Sequence, residues 1–197
     1  MKIIKVDLNS ISEYSSHLKA LSQEDKYSRF GTNMSDAGID QLILQMVYHP
    51  TDHELWAAVD FSHNIYGFGH MAYDGKSWEL AVSVDASVQR QGVGNKLIQE
   101  MLEWAKFHGI HEVYMHCIEN NKVIQHLAAK NKLKTKERGY GERVAAIELS
   151  NPDLFEKNNQ IFKEYGRLVD EMTELRLRIL NLMLGNTDTS HKENYHV

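Results

Sequence analysis

The chain has 197 residues, 42% hydrophobic and 25% charged, and its 22 Lys and Arg against 27 Asp and Glu leave a formal net charge of −5. Such a composition is that of a soluble globular protein; the acidic balance argues against a nucleic-acid binder, which needs a basic excess over phosphate, and suits a cationic substrate. No apolar run approaches the ~20 residues of a membrane span, the N-terminus reads as a strand rather than a signal peptide, and Cys117 is the only cysteine, so a cytoplasmic protein without membrane or disulfide is expected.

Residues 2–8 alternate as a first strand, and Ser10 or Ser12 can cap a helix that runs to about residue 21. Residues 22–34 are polar and read as irregular. A second helix over 35–48 carries Ile39, Leu42, Ile43, Met46 and Val47 until Pro50 forces an end. Three strands follow over 54–60, 65–73 and 77–84, joined by the hairpin-length links Ser62-His63-Asn64 and Asp74-Gly75-Lys76. In the third, Trp78, Leu80, Val82 and Val84 alternate with Glu79, Ala81 and Ser83 until Asp85-Ala86-Ser87 breaks the period. A helix over 94–107 presents Leu97, Ile98, Met101, Leu102 and Ala105 on one face and stops at Gly109, and an apolar strand over 113–118 follows. This strand-helix-strand step is long enough for a parallel crossover. After Glu119-Asn120-Asn121 a further amphipathic helix carries Ile124, Leu127 and Ala128, and a last strand over 142–149 follows Gly139-Tyr140-Gly141. Residues 1–150 are thus expected to form an α/β domain, a mixed sheet with helices on its faces.

From Asn151-Pro152 the pattern changes to one long helix, with Gly185 as its stop. Leu154, Ile161, Leu168, Leu175 and Leu182 recur every seven residues, with Tyr165, Met172 and Ile179 four after three of them, while Phe155, Phe162 and Val169 widen the seam. Such a helix either packs along its own domain or makes a homodimer. The tail over 186–197 is polar and reads as disordered.

The stretch Gln89-Arg90-Gln91-Gly92-Val93-Gly94 joins the Glu79 strand to the helix after it. Its glycines let a ligand approach the backbone, and the first N–H groups of a helix are unpaired at the positive end of its dipole, so an anion fits there. A dinucleotide fingerprint fails at Leu97 and a Walker A loop fails at Asn95. A plain strand-to-helix turn is the alternative. The stretch resembles the Q/R-x-x-G-x-G/A loop of the GCN5-related N-acetyltransferase (GNAT) family, with Gln89, Gly92 and Gly94 at the defining places. Asn121, Ile124, Leu127 and Lys130 likewise resemble part of that family's N-x-x-A-x-x-L-Y-x-K-x-G-F segment, although Lys132-Leu133 stands for Gly-Phe and Ala128 stands where a tyrosine is common. The resemblance spans about residues 2–150 and is dense over 78–133.

It implies a GNAT-like mixed, mostly antiparallel sheet flanked by helices, with acetyl-CoA as acetyl donor and no metal. It also implies that Val82, Ser83 and Val84 meet the pantetheine and thioester, with the N–H of Val82 or Ser83 as oxyanion donor. Gln89, Arg90, Gln91, Gly92, Val93, Gly94 and Asn95 would hold the pyrophosphate, and Asn121 would stand near the thiol, unless it only caps its helix. The tyrosine commonly protonates the departing thiolate; with Ala128 in its place, water or Tyr140 is left for that step.

Acetyl transfer requires an amine that has lost its proton, and a lysine-like amine has a pKa of about 10.4. Glu79 is the only acidic side chain in the strand entering the loop. Glutamate there also resembles the acetyltransferase domain of bacterial protein lysine acetyltransferases, which implies that it is the base; a strand-paired carboxylate is the structural alternative. Residues 21–30 resemble the Leu-Ser-x-Glu-x-x-Tyr-x-Arg-Phe segment of the same subset, which implies an acceptor wall bearing Tyr27, Arg29 and Phe30 and points to protein lysine; small amines stay open. His70 either lines the acceptor site or is structural.

The eleven histidines hold no metal pattern: His111 and His116 fall on opposite faces of a strand, and His49 and His53 straddle a proline. Cys117 lacks any surrounding nucleophile motif. The expected function is N-acetylation of a primary amine, with a non-catalytic coenzyme-A-binding regulator as the alternative.

Overall fold

A computed structural model describes residues 1–7, 10–116, 121–137 and 143–183. They form β1 (Lys2–Val6), α1 (Ile11–Ala20), α2 (Gln23–Phe30), α3 (Asp36–Tyr48), β2 (His53–Val59), β3 (Ile65–Tyr73), β4 (Trp78–Val84), α4 (Val93–Phe107), β5 (Glu112–His116), α5 (Lys122–Lys130), β6 (Lys134–Glu137), β7 (Arg143–Glu148) and α6 (Leu154–Met183). The strands make one sheet in the order β1-β2-β3-β4-β5-β7-β6. Only β4 and β5 run parallel; every other pair is antiparallel, as a meander followed by a helical crossover requires.

Alternation on the strands divides the core between the two faces. Leu80, Leu97, Ile98, Met101 and Val113 are buried where α4 covers one face, with Val82 and Val84 packed against them. Tyr14, Leu18, Ile39, Met46, Leu55 and Phe68 fill the other face beneath α1 and α3. Each fully buried aliphatic side chain contributes about 1.5–3 kcal/mol by leaving water. On β4 this leaves Glu79, Ala81 and Ser83 facing the α1 side.

The structure departs from the sequence expectation in two places. Residues 22–34 are not wholly irregular: α2 forms within them because Ser22 caps its start, accepting from the Asp25 N–H at 3.1 Å and donating to Asp25 Oδ2 at 2.6 Å. Gly31, at φ +72°, ends it. An edge strand, β6, also forms over Lys-Thr-Lys-Glu, a polar run that pairs with β7 and gives no hydrophobic period.

Met1–Asn151 forms one compact unit, and the segment from Pro152 forms a second. In the second, Asp153 Oδ1 accepts from the Glu156 N–H at 2.7 Å while Glu156 Oε2 accepts from the Asp153 N–H at 3.1 Å, a reciprocal cap that starts α6. Leu154, Ile161, Leu168, Leu175 and Leu182 are each more than half exposed. Gly185 and the polar tail lie outside the described residues, as do Cys117, Tyr140 and its flanking glycines. No helix among the described residues is long and apolar enough to cross a membrane.

Candidate active site

Strand β4 parts from β5 after its first two residues. The two are in register only at Trp78 with Val113 and Glu79 with Tyr114, whereas β4 continues to Val84 against β3 alone. The Asp85 N–H donates to Tyr66 O at 2.8 Å, so the regular antiparallel ladder turns the main-chain groups of Ser83 toward β3 and those of Val82 and Val84 toward the open side. Of the two N–H groups expected as oxyanion donors, Val82 therefore has the open orientation.

The open edge runs into the glycine-bearing loop. Asp85 accepts from the Ser87 N–H at 2.8 Å and its hydroxyl at 2.6 Å, bonds that hold its carboxyl below the ordinary range and tighten the turn. Gln89 Nε2 donates to Val84 O and to Asp25 Oδ1, both at 3.2 Å, and Gln91 Nε2 turns back to Ser87 O at 3.3 Å. Arg90 and Gly92 both take left-handed conformations, φ +61° and +83°, and Gly92 caps α4 without a side chain. The leading N–H groups of α4 are thus left for a ligand. A Cβ on Gly94 would lie at ordinary contact distance, 3.6 Å from Leu127 and 3.7 Å from Val84. Packing within the chain therefore leaves room for a larger residue, but all three positions line the cleft, and a side chain would narrow it.

That cleft has a volume of about 650 Å³. Val82 to Val84, the loop and the start of α4 form its floor; Asn121 and the outer face of α5 form one wall; Leu21, Glu24, Asp25, Ser28 and Arg29 form the other. Asn121 Oδ1 accepts from the Ile124 N–H at 3.0 Å, so the residue caps α5 while facing the cleft. Ala128 is buried in the α4-side core.

On the α1 side of β4, polar groups from five elements meet. His17 Nε2 and Ser83 Oγ are 3.0 Å apart, and burial lowers the His17 pKa. Arg29 Nη2 donates at 3.4 Å to both the Tyr14 hydroxyl and His70 Nδ1, and His70 Nε2 lies 3.1 Å from His53 Nδ1. Burial pushes His70 well below the ordinary histidine value and His53 below it, and it raises Tyr14. Glu79 is half-buried and makes no hydrogen bond or ion pair with a described residue.

Of the four residues expected on the acceptor wall, Arg29 alone lines the cleft. Tyr27 is largely exposed, Phe30 packs into the α1-side core beneath the Arg29 guanidinium at 4.9 Å, and His70 is buried in the histidine cluster. Gln91 is tied back to its own loop and stands off the cleft. Tyr14, His17, Asp25 and His126 were not among the residues the sequence pointed to, and His53 and Glu24 were given no role by it. Of these, only Asp25 left a local signal, through the Ser22–Asp25 cap that announces a helix. Among the described residues no group of three or more His, Cys, Asp or Glu is placed to hold a metal ion.

Residues 17–132 match the family model described as Acetyltransferase (GNAT) family. No curated protein sequence matches the chain. Several solved structures share its fold. The GNAT domain of S. lividans PAT is 17% identical with a TM-score of 0.62, the match covering 75% of this chain and 89% of that one. Spermidine N-acetyltransferase from Vibrio cholerae, solved with CoA and spermine, is 14% identical with a TM-score of 0.60 over 76% of this chain and 96% of its own. The paia N-acetyltransferase from Thermoplasma acidophilum, in complex with coenzyme A, is 15% identical with a TM-score of 0.57, covering 75% of this chain and 98% of that one.

Proposed function

The chain belongs to the acetyltransferase (GNAT) family, and from that premise we propose that it moves an acetyl group from acetyl-CoA to a primary amine by direct attack. The observation that carries the reading is the cleft floor, where an open strand edge runs into the uncapped N-terminus of α4. Acetyl-CoA supplies the acetyl group as an activated thioester. The residues present fit it: a pyrophosphate meets the N–H groups of Val93, Gly94 and Asn95, and Gly94 keeps the floor clear for it. The open main-chain groups of Val82 and Val84 suit the amide-bearing pantetheine arm, with Asn121 on the opposite wall.

Glu79, whose side chain has no partner among the described residues, takes the proton from the incoming ammonium; it stands on β4, which supplies Val82 to Val84 to the cleft floor, although it is not itself one of the lining residues. The freed nitrogen lone pair forms the bond to the acetyl carbon, the carbon–sulfur bond breaks, coenzyme A leaves as thiolate, and the nitrogen sheds its remaining extra proton to water to leave the neutral amide. The Val82 N–H donates to the carbonyl oxygen as it gathers charge. Protonation of the thiolate falls to water or Tyr140, because Ala128 has no proton to give and is buried.

The acceptor is a protein lysine or a small amine, and the single cysteine suits a cytoplasmic setting. The C-terminal helix is assigned to homodimer formation, since its heptad leucines are exposed and their spacing suits a second copy of the same helix. Solution mass before and after deletion of residues 152–197 tests this: loss of a dimer is expected, and a monomeric full-length chain refutes it.

One observation favours a second reading, a non-catalytic coenzyme-A-binding regulator: the cleft is complete while the tyrosine is replaced. Thiol release from acetyl-CoA across amines and lysine peptides decides between them. Amine-dependent release is expected. Tight coenzyme A binding with no release above the acceptor-free rate supports the regulator.

A further inference from the structure

Two cations on α2 are treated differently by their surroundings. Lys26 is buried, and its Nζ is neutralised by Asp36 at 3.0 Å. Arg29, one turn later, is half-buried and faces the cleft, yet no carboxylate among the described residues comes within ion-pair distance of it. Both of its hydrogen bonds, to Tyr14 and His70, use the single nitrogen Nη2, and a guanidinium has five N–H donors. Removing such a charge from water is costly unless something compensates it.

The neighbours brace the guanidinium without neutralising it. Arginine can only donate, so His70 Nδ1 must accept; the His70 proton then sits on Nε2 and donates to His53 Nδ1, 3.1 Å away. Both imidazoles are neutral in this chain of bonds, as their burial favours, and the positive charge stays on Arg29. Glu79 and Arg29 both act on the Tyr14 hydroxyl, with opposite sign because their charges are opposite, and they do not pair with each other. An unneutralised guanidinium and an unpaired carboxylate that both act on one hydroxyl complement an acceptor that carries both charges, and the flat guanidinium fork matches the two oxygens of a carboxylate.

We propose that Arg29 anchors a carboxylate of the acceptor, so that the amine acetylated here belongs to an amino acid rather than to a polyamine. The inference rests on the N-acetyltransferase reading of the cleft. Calorimetric binding to the full chain with coenzyme A present tests it, using amine pairs that differ by the carboxylate alone: lysine and cadaverine, ornithine and putrescine, β-alanine and ethylamine. At least one carboxylated member is expected to bind tenfold or more tightly than its partner. Arg29→Gln should bring that ratio to near one, and Arg29→Lys should restore part of it, with coenzyme A affinity unchanged in both. Equal binding within every pair, or no binding by any member, overturns the anchor. A variant that loses coenzyme A affinity instead also overturns it, because the guanidinium then serves the coenzyme. Thiol release keeps the two readings apart. Equal turnover of both pair members preserves the transferase and removes the anchor, while carboxylate-dependent binding without any turnover preserves the anchor and removes the transferase.

Discussion

The two sides of the proposed site are built from different materials. The donor side, β4 with the loop and the start of α4, works through main-chain groups: a strand edge left open by β5, an uncapped helix end, and a glycine where a side chain would narrow the floor. The acceptor side works through side chains delivered by α1, α2, β2 and β3, namely Tyr14, Arg29, His53 and His70. Backbone devices need a fixed local order of residues, so they leave a motif. A side-chain cluster needs only that distant segments meet, so it leaves none. The donor side is accordingly the part that local spacing identifies, whereas on the acceptor side only the short segment bearing Arg29 carries such a likeness to a family.

Four substitutions or conditions press on that contrast. Glu79→Gln should lower kcat by about 10²–10⁴-fold while leaving coenzyme A affinity intact; calorimetry and thiol release on the same preparation read both, and equal rates remove Glu79 from the chemistry. On the donor side, Gly94→Val should raise the Kd for acetyl-CoA about tenfold or more, roughly 1.4 kcal/mol, with little change in melting temperature, since its side chain meets cleft-lining atoms at ordinary contact distance. A large fall in melting temperature would show that the glycine serves packing instead.

Acidity should act on the acceptor side. Burial lowers the pKa values of His17, His53 and His70, so their contribution to stability is complete above the unfolded value of about 6.5. As pH falls below that, the unfolded chain takes up protons that the folded chain refuses, and stability declines by up to about 1.4 kcal/mol per pH unit for each proton until the folded residues titrate too. Urea unfolding at pH 7.5 and 5.5 measures the slope, which His70→Gln should flatten; an unchanged slope would exclude His70 as a source. The smallest effect belongs to Lys132, which holds a left-handed φ of +63° at the end of α5, where the family motif has glycine. Lys132→Gly should stabilise the protein by about 1 kcal/mol in the same measurement, without altering coenzyme A affinity.

Particular residues show how far the sequence could be read. The alternation of Trp78 to Val84 and the apolar face of Leu97 to Ala105 placed β4 and α4 correctly, because each buries one face against a continuous core. Helix α2 was hidden: its eight residues are mostly polar, and only the Ser22 cap and Gly31 mark its ends. Tyr27 and Phe30 come from the same short segment as Arg29, yet one is exposed and the other packed inward, because successive helical positions point in different directions.

By itself the sequence determined the order of the strands and helices other than α2 and β6, and it pointed to the glycine-bearing loop at Gln89 to Gly94 and the carboxylate at Glu79, since hydrophobic period, glycine position and strand alternation are local properties. Only the tertiary structure decided that β4 parts from β5 after Glu79, that Val82 rather than Ser83 turns its N–H to the open edge, and that Arg29 keeps its charge. Those outcomes depend on which segments, 15 to 66 residues apart in the hydrogen bonds that join them, pack against one another.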